Sequence, residues 1–86
     1  MNKLRWAIYR VSIAADYYEM CCADVWREFQ SSDPDLAKEV EKLGLTEEGT
    51  AEWICPSPSE GMASPAELLA DGRRDLVIER IRRATR

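Results

Sequence analysis

Residues 3–30 read KLRWAIYRVSIAADYYEMCCADVWREFQ and contain neither proline nor glycine. Apolar residues recur in this segment at alternating steps of four and three, which is the spacing of one face of an α-helix. The positions of this stripe are Leu4, Ile8, Val11, Ala15, Tyr18, Cys22, Val25 and Phe29. The pattern predicts one long N-terminal helix over 3–30, with the stripe facing the core.

A second apolar set widens the apolar surface of the same segment. It includes Trp6, Ile13, Tyr17 and Met20. A helix that is apolar on most of its circumference is buried on more than one side, and the rest of this short chain offers little apolar surface to cover it. We therefore expect these four side chains to mediate self-association, most simply as a homodimer. The alternative is that they pack only within their own domain.

The remaining sequence predicts four short helices, at 34–43, 47–54, 65–71 and 73–85. The clearest start is Ser64-Pro65-Ala66-Glu67, in which the serine and the glutamate suit a capping box. Asp71 is a candidate cap for the last helix, and Gly44 suits a left-handed helix end. No segment alternates convincingly as a strand would. We expect an all-α, small helical bundle in a single domain, 1–86, whose short-helix part spans 33–85.

The 86 residues carry a net charge of −4 that is unevenly distributed. Residues 31–70 contain nine acidic and two basic residues, whereas residues 71–86 contain six arginines and three acidic residues. The acidic balance argues against direct nucleic-acid binding. No apolar run approaches the roughly 20 residues of a membrane span, and MNKLRWAIYR does not read as a secretion signal. We therefore expect a cytoplasmic protein without membrane association.

Residues that catalysis and metal binding require are scarce. The chain has no histidine, which excludes Ser-His and Cys-His pairs and imidazole ligands. Its three cysteines, Cys21, Cys22 and Cys55, lack the spacing of a zinc site and do not form a disulfide framework. We interpret them as small buried apolar residues. The prediction is a protein with no cofactor, no metal site and no enzymatic activity.

The second half of the chain contains an ordered run of tryptophan, proline, glycine and leucine motifs. The run is Trp53-Ile54, Pro56, Gly61, Ser64-Pro65, Leu68-Leu69, Gly72 and Val77. Over about residues 45–85, this order resembles the C-terminal toxin-binding domain of the Xre/MbcA/ParS family of antitoxins. The resemblance implies a partner-binding role. It does not extend to the helix-turn-helix DNA reader of that family, because a long apolar helix stands in its place here.

The first hypothesis is a non-enzymatic, antitoxin-like module that binds and neutralises or regulates a partner protein. Prolines stiffen the loop between the second and third short helices, which lowers the entropy cost of presenting it to a partner. The candidate partner-binding residues are Pro56, Pro58, Glu60, Met62, Arg73, Arg74, Arg82 and Arg83. The alternative is a small acidic inhibitor of a nucleic-acid-handling host complex, as phages and mobile elements encode. In that case residues 31–70 mimic DNA, and the complex weakens steeply with salt.

Overall fold

The computed structural model describes residues 2–13, 15–56 and 62–85, which form helices and no strand. The N-terminal segment forms α1 (Lys3–Ile13), a short 3-10 helix (Ala15–Tyr17) and α2 (Tyr18–Ser32). The helices that follow are α3 (Pro34–Glu41), α4 (Glu47–Ile54), α5 (Pro65–Ala70) and α6 (Arg74–Ala84). The prediction of an all-α, small helical bundle is confirmed. Among the described residues, no helix is long and apolar enough to cross a membrane.

The prediction of one long helix over 3–30 is wrong, because α2 turns back and packs against α1. The Cys21 thiol donates to the Arg10 carbonyl at 3.9 Å, and Arg10 Nη1 lies 3.6 Å from Asp24 Oδ2. In a straight helix, residues 10 and 21 would be about 16 Å apart. The physical reason is burial: a helical hairpin brings the two halves of the apolar stripe face to face, so that each half covers the other.

Where its side chains are described, the stripe faces the core, as the sequence predicts. Leu4 and Val11 on α1 pack with Cys22, Val25 and Phe29 on α2, and all five are buried. The short helices complete this core with side chains that have no exposed surface, namely Leu36, Val40, Ile54 and Val77. Removing apolar surface from water is the main force that stabilises such a bundle.

The short helices begin and end within two residues of the predicted bounds. The Ser64 hydroxyl accepts the amide hydrogen of Glu67 at 3.2 Å, and the Glu67 carboxylate accepts the amide hydrogen of Ser64 at 3.0 Å. This reciprocal pair is the predicted capping box. Asp33 caps α3 and Thr46 caps α4 through their side-chain oxygens. Gly44 has a φ of 74°, in the left-handed region that glycine tolerates.

Two arginine contacts fix the C-terminal helices to the rest of the bundle. Arg74 Nε donates to Asp33 Oδ2 at 2.7 Å, which ties the start of α6 to α3. Arg5 on α1 donates to the Ala70 carbonyl at 2.8 Å and to Asp71 Oδ1 at 2.9 Å. Asp71 therefore binds α1 and does not cap α6, which begins without a side-chain cap.

Candidate protein-binding surface

Five large apolar side chains are more than half exposed on the helical hairpin, on the side away from the core. Their exposed fractions run from 52 to 67%. We call this set the outer face; it consists of Trp6, Tyr9, Ile13, Tyr17 and Met20. It contains all four residues predicted to self-associate, which the structure places at the surface and not in the core.

The α1 part of the outer face is preordered by helix geometry. Trp6, Tyr9 and Ile13 are spaced by three and four residues, so they share one side of the helix. The rings of Trp6 and Tyr9 stack with their centroids 5.7 Å apart and an interplanar angle of 27°. Stacked aromatic rings on a helix lose little freedom when a partner covers them. The sequence reasoning missed Tyr9, although its spacing from Trp6 and Ile13 would have identified it.

The turn of the hairpin extends the outer face beyond α1. Tyr17 ends the 3-10 helix and Met20 lies in the first turn of α2, with 63 and 67% of their surface exposed. In a continuous helix these two side chains would lie further along the same rod as Ile13. The turn instead places Ile13, Tyr17 and Met20 near one end of the hairpin, at the end of α1, in the 3-10 helix and at the start of α2.

The charges beside the outer face are separated by sign. The charged residues of α1 are all basic, and Lys3 stands at its exposed start. The turn carries two exposed carboxylates, Asp16 and Glu19. Arg5 and Arg10 already pair with acidic residues of their own chain. One end of the outer face is therefore basic and the other acidic, so a copy rotated by a two-fold axis presents complementary charges.

A groove of about 430 Å³ between α2 and α4 adjoins the acidic end of the outer face. We call it the acidic groove. Apolar atoms of Met20, Trp26 and Ala51 contribute to its lining. The acidic residues that line it are Glu19, Glu47, Glu48 and Glu52. Within the described part of the chain, Arg27 is the one basic residue that lines it. Such a lining favours a cationic or amphipathic partner segment over a nucleic acid.

A second groove, of about 420 Å³, lies between the end of α4 and the end of α6. We call it the arginine groove, because Arg80 and Arg83 line it beside Trp53. Cys55 and Pro65, which flank the predicted partner-binding loop, also line it. The structure thus brings Arg83 next to both ends of that loop, with its guanidinium 2.9 Å from Glu79 Oε1.

The other predicted arginines do not form one site with Arg83. Arg82 is its exposed neighbour near the end of α6, whereas Arg73 and Arg74 stand at the opposite end. About eight or nine helical residues separate the two pairs, or roughly 13 Å along the axis. Arg74 is engaged with Asp33. The four predicted arginines therefore lie at the two ends of α6 and do not form one surface.

The predicted loop residues are only partly within the described chain. Met62 is 65% exposed immediately before α5. Pro56 is half-buried, and its carbonyl accepts the hydroxyl hydrogen of Tyr18 at 3.1 Å. Pro58 and Glu60 lie outside the described residues. Met62 is thus exposed near the end of the loop, and Pro56 fastens the start of the loop to α2.

The motifs that resemble the antitoxin domain have structural roles in this fold. Ile54 and Val77 have no exposed surface, and Trp53 is partly buried against the core. Gly72, with a φ of 77°, follows α5 in a left-handed conformation. Gly61 lies outside the described residues. Folding alone is therefore sufficient to account for each described motif residue.

All three cysteines are buried free thiols, in agreement with the interpretation as apolar residues. Cys22 and Cys55, however, place their sulfur atoms 2.6 Å apart, a contact that the sequence did not predict. Burial raises the pKa of both thiols above the usual value of 9.0. Burial also raises the pKa of the neighbouring Tyr18 hydroxyl. Among the described residues, no group of three or more His, Cys, Asp or Glu is arranged to hold a metal ion.

No protein-family model, curated protein or solved structure matches the chain. The resemblance of residues 45–85 to a toxin-binding domain stays a prediction made from the sequence. The surfaces that bear on function are the outer face, the acidic groove and the arginine groove.

Proposed function

We propose that this chain is a non-enzymatic protein-binding module that assembles through its outer face and regulates a partner protein in the cytoplasm. The observation that carries the proposal is the exposure of five large apolar side chains on one helical hairpin. Monomeric proteins seldom leave large apolar patches in water. Tyr, Trp and Met are also among the residue types enriched at protein interfaces, and they make up four of the five.

The proposed occupant of the outer face is a second copy of the chain. An aromatic side chain buries roughly 150–250 Å² when fully covered, so the five outer-face side chains, three of them aromatic, present on the order of 500 Å² at half to two-thirds exposure. A specific interface needs about 800 Å² from each partner. The polar rim of the hairpin supplies the difference, so the available surface suits a homodimer of ordinary size.

Charge complementarity supports the same occupant. A two-fold axis across the outer face sets Lys3 of one copy near Asp16 and Glu19 of the other, and repeats the arrangement on the opposite side. Such rim pairs contribute little affinity on exposed surfaces, but they favour the antiparallel register over the parallel one. An unrelated partner would need to carry the same charge separation independently.

The regulated partner is proposed to bind the arginine groove. Tryptophan and arginine are the residues most often responsible for binding energy in interfaces, and the groove sets Trp53 beside Arg80 and Arg83. The groove also lies at both ends of the loop for which the antitoxin resemblance implies partner contact. This surface lies on the short-helix part of the chain, so a dimer formed by the hairpins presents two copies of it.

Co-purification of two differently tagged copies tests the assembly. The native copies are expected to purify together, and copies that both carry Ile13→Glu are expected to separate, because a carboxylate in an apolar interface is costly. The matched control is Leu45→Glu, which places the same charge on another partly exposed apolar residue outside the outer face. Retained pairing in Ile13→Glu, or lost pairing in Leu45→Glu, would contradict the proposed surface.

Mass spectrometry of the same purification tests the regulated partner. Proteins captured by the native chain are expected to be lost when the bait carries Arg80→Glu and Arg83→Glu. The control bait carries Arg73→Glu, at the other end of α6. Equal capture by all three baits would show that the arginine groove does not bind the partner.

A second candidate function is an acidic inhibitor of a nucleic-acid-handling complex. The observation that favours it is the row of carboxylates along the acidic groove, Glu19, Glu47, Glu48 and Glu52. Many other acidic residues are engaged within the chain, including Asp33 and Glu67. Salt and charge reversal together separate the two functions: a DNA-mimic complex should weaken steeply between low and moderate salt and should not depend on Arg80 and Arg83, whereas binding through the arginine groove should be lost in the variant that carries Arg80→Glu and Arg83→Glu.

A further inference from the structure

Cys22 and Cys55 come from distant parts of the sequence and meet in the core. Cys22 lies on α2 and Cys55 directly follows α4. Their sulfur atoms are 2.6 Å apart, although 33 positions separate them in the chain. A disulfide bond is about 2.05 Å long, so a small approach of the two sulfurs is enough to join them.

A hydrogen bond beside the pair joins the two backbone segments that carry Cys22 and Cys55. The Tyr18 hydroxyl, one helical turn before Cys22, donates to the carbonyl of Pro56, the residue after Cys55. Cys21 is excluded from the pair, because its thiol points to the Arg10 carbonyl on α1. Neighbouring cysteines on a helix project about 100° apart, so only one of them can face Cys55.

We infer that Cys22 and Cys55 are a site of reversible oxidation, at which a peroxide converts the two thiols into an intramolecular disulfide. The inference is independent of the proposed function, since it needs neither a second copy nor another protein. Both sulfurs are almost inaccessible, with 1 and 4% of the residue surface exposed. Oxidation therefore begins when a local opening admits the peroxide.

The reaction balances in two steps. One thiol loses its proton and attacks a peroxide oxygen; the O–O bond breaks, a sulfenic acid forms and water leaves. The other sulfur then attacks the sulfenic sulfur; the S–S bond forms, and the hydroxyl leaves with a proton as a second water. The two sulfurs lose two electrons and the peroxide gains them. Exchange with two molecules of a small thiol restores both cysteines and joins the two thiol molecules in their own disulfide.

The bond would join α2 to the end of α4 and close a loop of 33 positions. Cross-links of that span restrict the unfolded chain and raise the thermal midpoint of a domain of this size by roughly 10–20 °C. A thiol reductant should return the midpoint to its original value.

Alkylation of the native chain after treatment with hydrogen peroxide tests the inference. After denaturation without reductant, the oxidised chain is expected to lose two hydrogens in mass and to accept one alkyl group in place of three. Because this readout uses the native chain, it does not depend on whether a variant folds. Three alkyl groups, addition of oxygen without a cross-link, or a link between two chains would overturn the inference.

Single variants identify the partners, since Cys21 and Cys22 fall in one tryptic peptide, residues 11–27. Cys21→Ala is the matched control and is expected to keep both the loss of two hydrogens and the rise in midpoint. Cys22→Ala and Cys55→Ala are expected to lose both effects while keeping the helical circular dichroism of the native chain. A cross-link that persists in Cys22→Ala but not in Cys21→Ala would assign the site to Cys21 and contradict the inference.

Discussion

The side of the hairpin that faces the core and the side that faces water carry apolar residues of similar size. Phe29 has no exposed surface, whereas Trp6 is 53% exposed and Ile13 is 64% exposed. The inner residues are covered by the other half of the hairpin and by the short helices. The outer residues meet no such cover among the described residues. Helical periodicity therefore identifies the apolar faces of a helix, but it does not indicate which face is covered by other helices of the same chain.

The largest expected loss of stability follows from removing a buried side chain on the core-facing side of the hairpin. Phe29→Ala removes a fully buried aromatic ring and leaves a cavity, so we expect the free energy of unfolding to fall by about 3–5 kcal/mol. Urea denaturation measures the loss. The matched variant is Trp6→Ala, made under conditions that keep the chain monomeric, which should lower the same quantity by only about 0.5–1.5 kcal/mol, mainly through loss of the stacking on Tyr9. Equal losses of unfolding free energy in the two variants would show that the core-facing and water-facing sides of the hairpin contribute equally to stability.

A smaller loss is expected at Trp53, which is partly buried at the edge of the core. Trp53→Ala should lower the free energy of unfolding by about 1–3 kcal/mol, below the range for a fully buried ring. Thermal and urea unfolding measure it against Phe29→Ala. A loss larger than that of Phe29→Ala would show that residues 45–85 contribute more to the free energy of unfolding than the core of the hairpin does.

The buried thiols on the inner side predict a dependence of stability on pH. Burial holds the pKa of Cys22 and Cys55 above 9.0 in the folded state, while the unfolded chain ionises near that value. Between these pKa values the folded state binds more protons, so stability is constant below about pH 8 and falls as pH rises. By pH 10 the loss should reach about 1–3 kcal/mol in urea titrations.

The control for this dependence is the double variant Cys22→Ala, Cys55→Ala, which should lose less stability between pH 8 and pH 10 than the native chain. A stability that rises over this interval, or an equal slope in both proteins, would show that the thiols do not cause the dependence. Both proteins are kept in reductant, so that the proposed disulfide does not form during the measurement.

The smallest expected change in stability concerns a helix start away from the hairpin. Ser64→Ala removes the cap of α5 and one half of the capping box, so we expect a loss of about 1 kcal/mol in urea denaturation. The control is Ser31→Ala, at an exposed serine near the end of α2, which should be neutral within about 0.5 kcal/mol. A neutral Ser64→Ala would mean that the box contributes no net stability.

Local signals in the sequence predicted much of this fold. The spacing of Leu4, Val11, Val25 and Phe29 identified the core side of the hairpin, and the hydroxyl of Ser64 identified the start of α5. Both signals involve residues within one or two helical turns of each other, and a sequence pattern can identify structure over that distance. The short helices consequently lie within one to two residues of their predicted bounds.

The break of the N-terminal helix could not be predicted in the same way. Residues 14–17 read AADY, with no proline or glycine to end a helix, and helix length in proteins is set largely by tertiary packing. The contact of Cys22 with Cys55 joins residues 33 positions apart, so no local sequence pattern predicts it. The separation of Arg73 from Arg83 by the length of α6 is likewise not apparent from their proximity in the sequence.

The mass of the native chain in solution tests the central claim, that the outer face is occupied by a second copy. Light scattering over a series of micromolar concentrations should give twice 9.8 kDa at the upper concentrations. Ile13→Glu should give 9.8 kDa throughout with unchanged circular dichroism, and Leu45→Glu should remain dimeric. A native chain that stays at 9.8 kDa at every concentration, or an Ile13→Glu variant that still dimerises, would show that a second copy does not occupy the outer face.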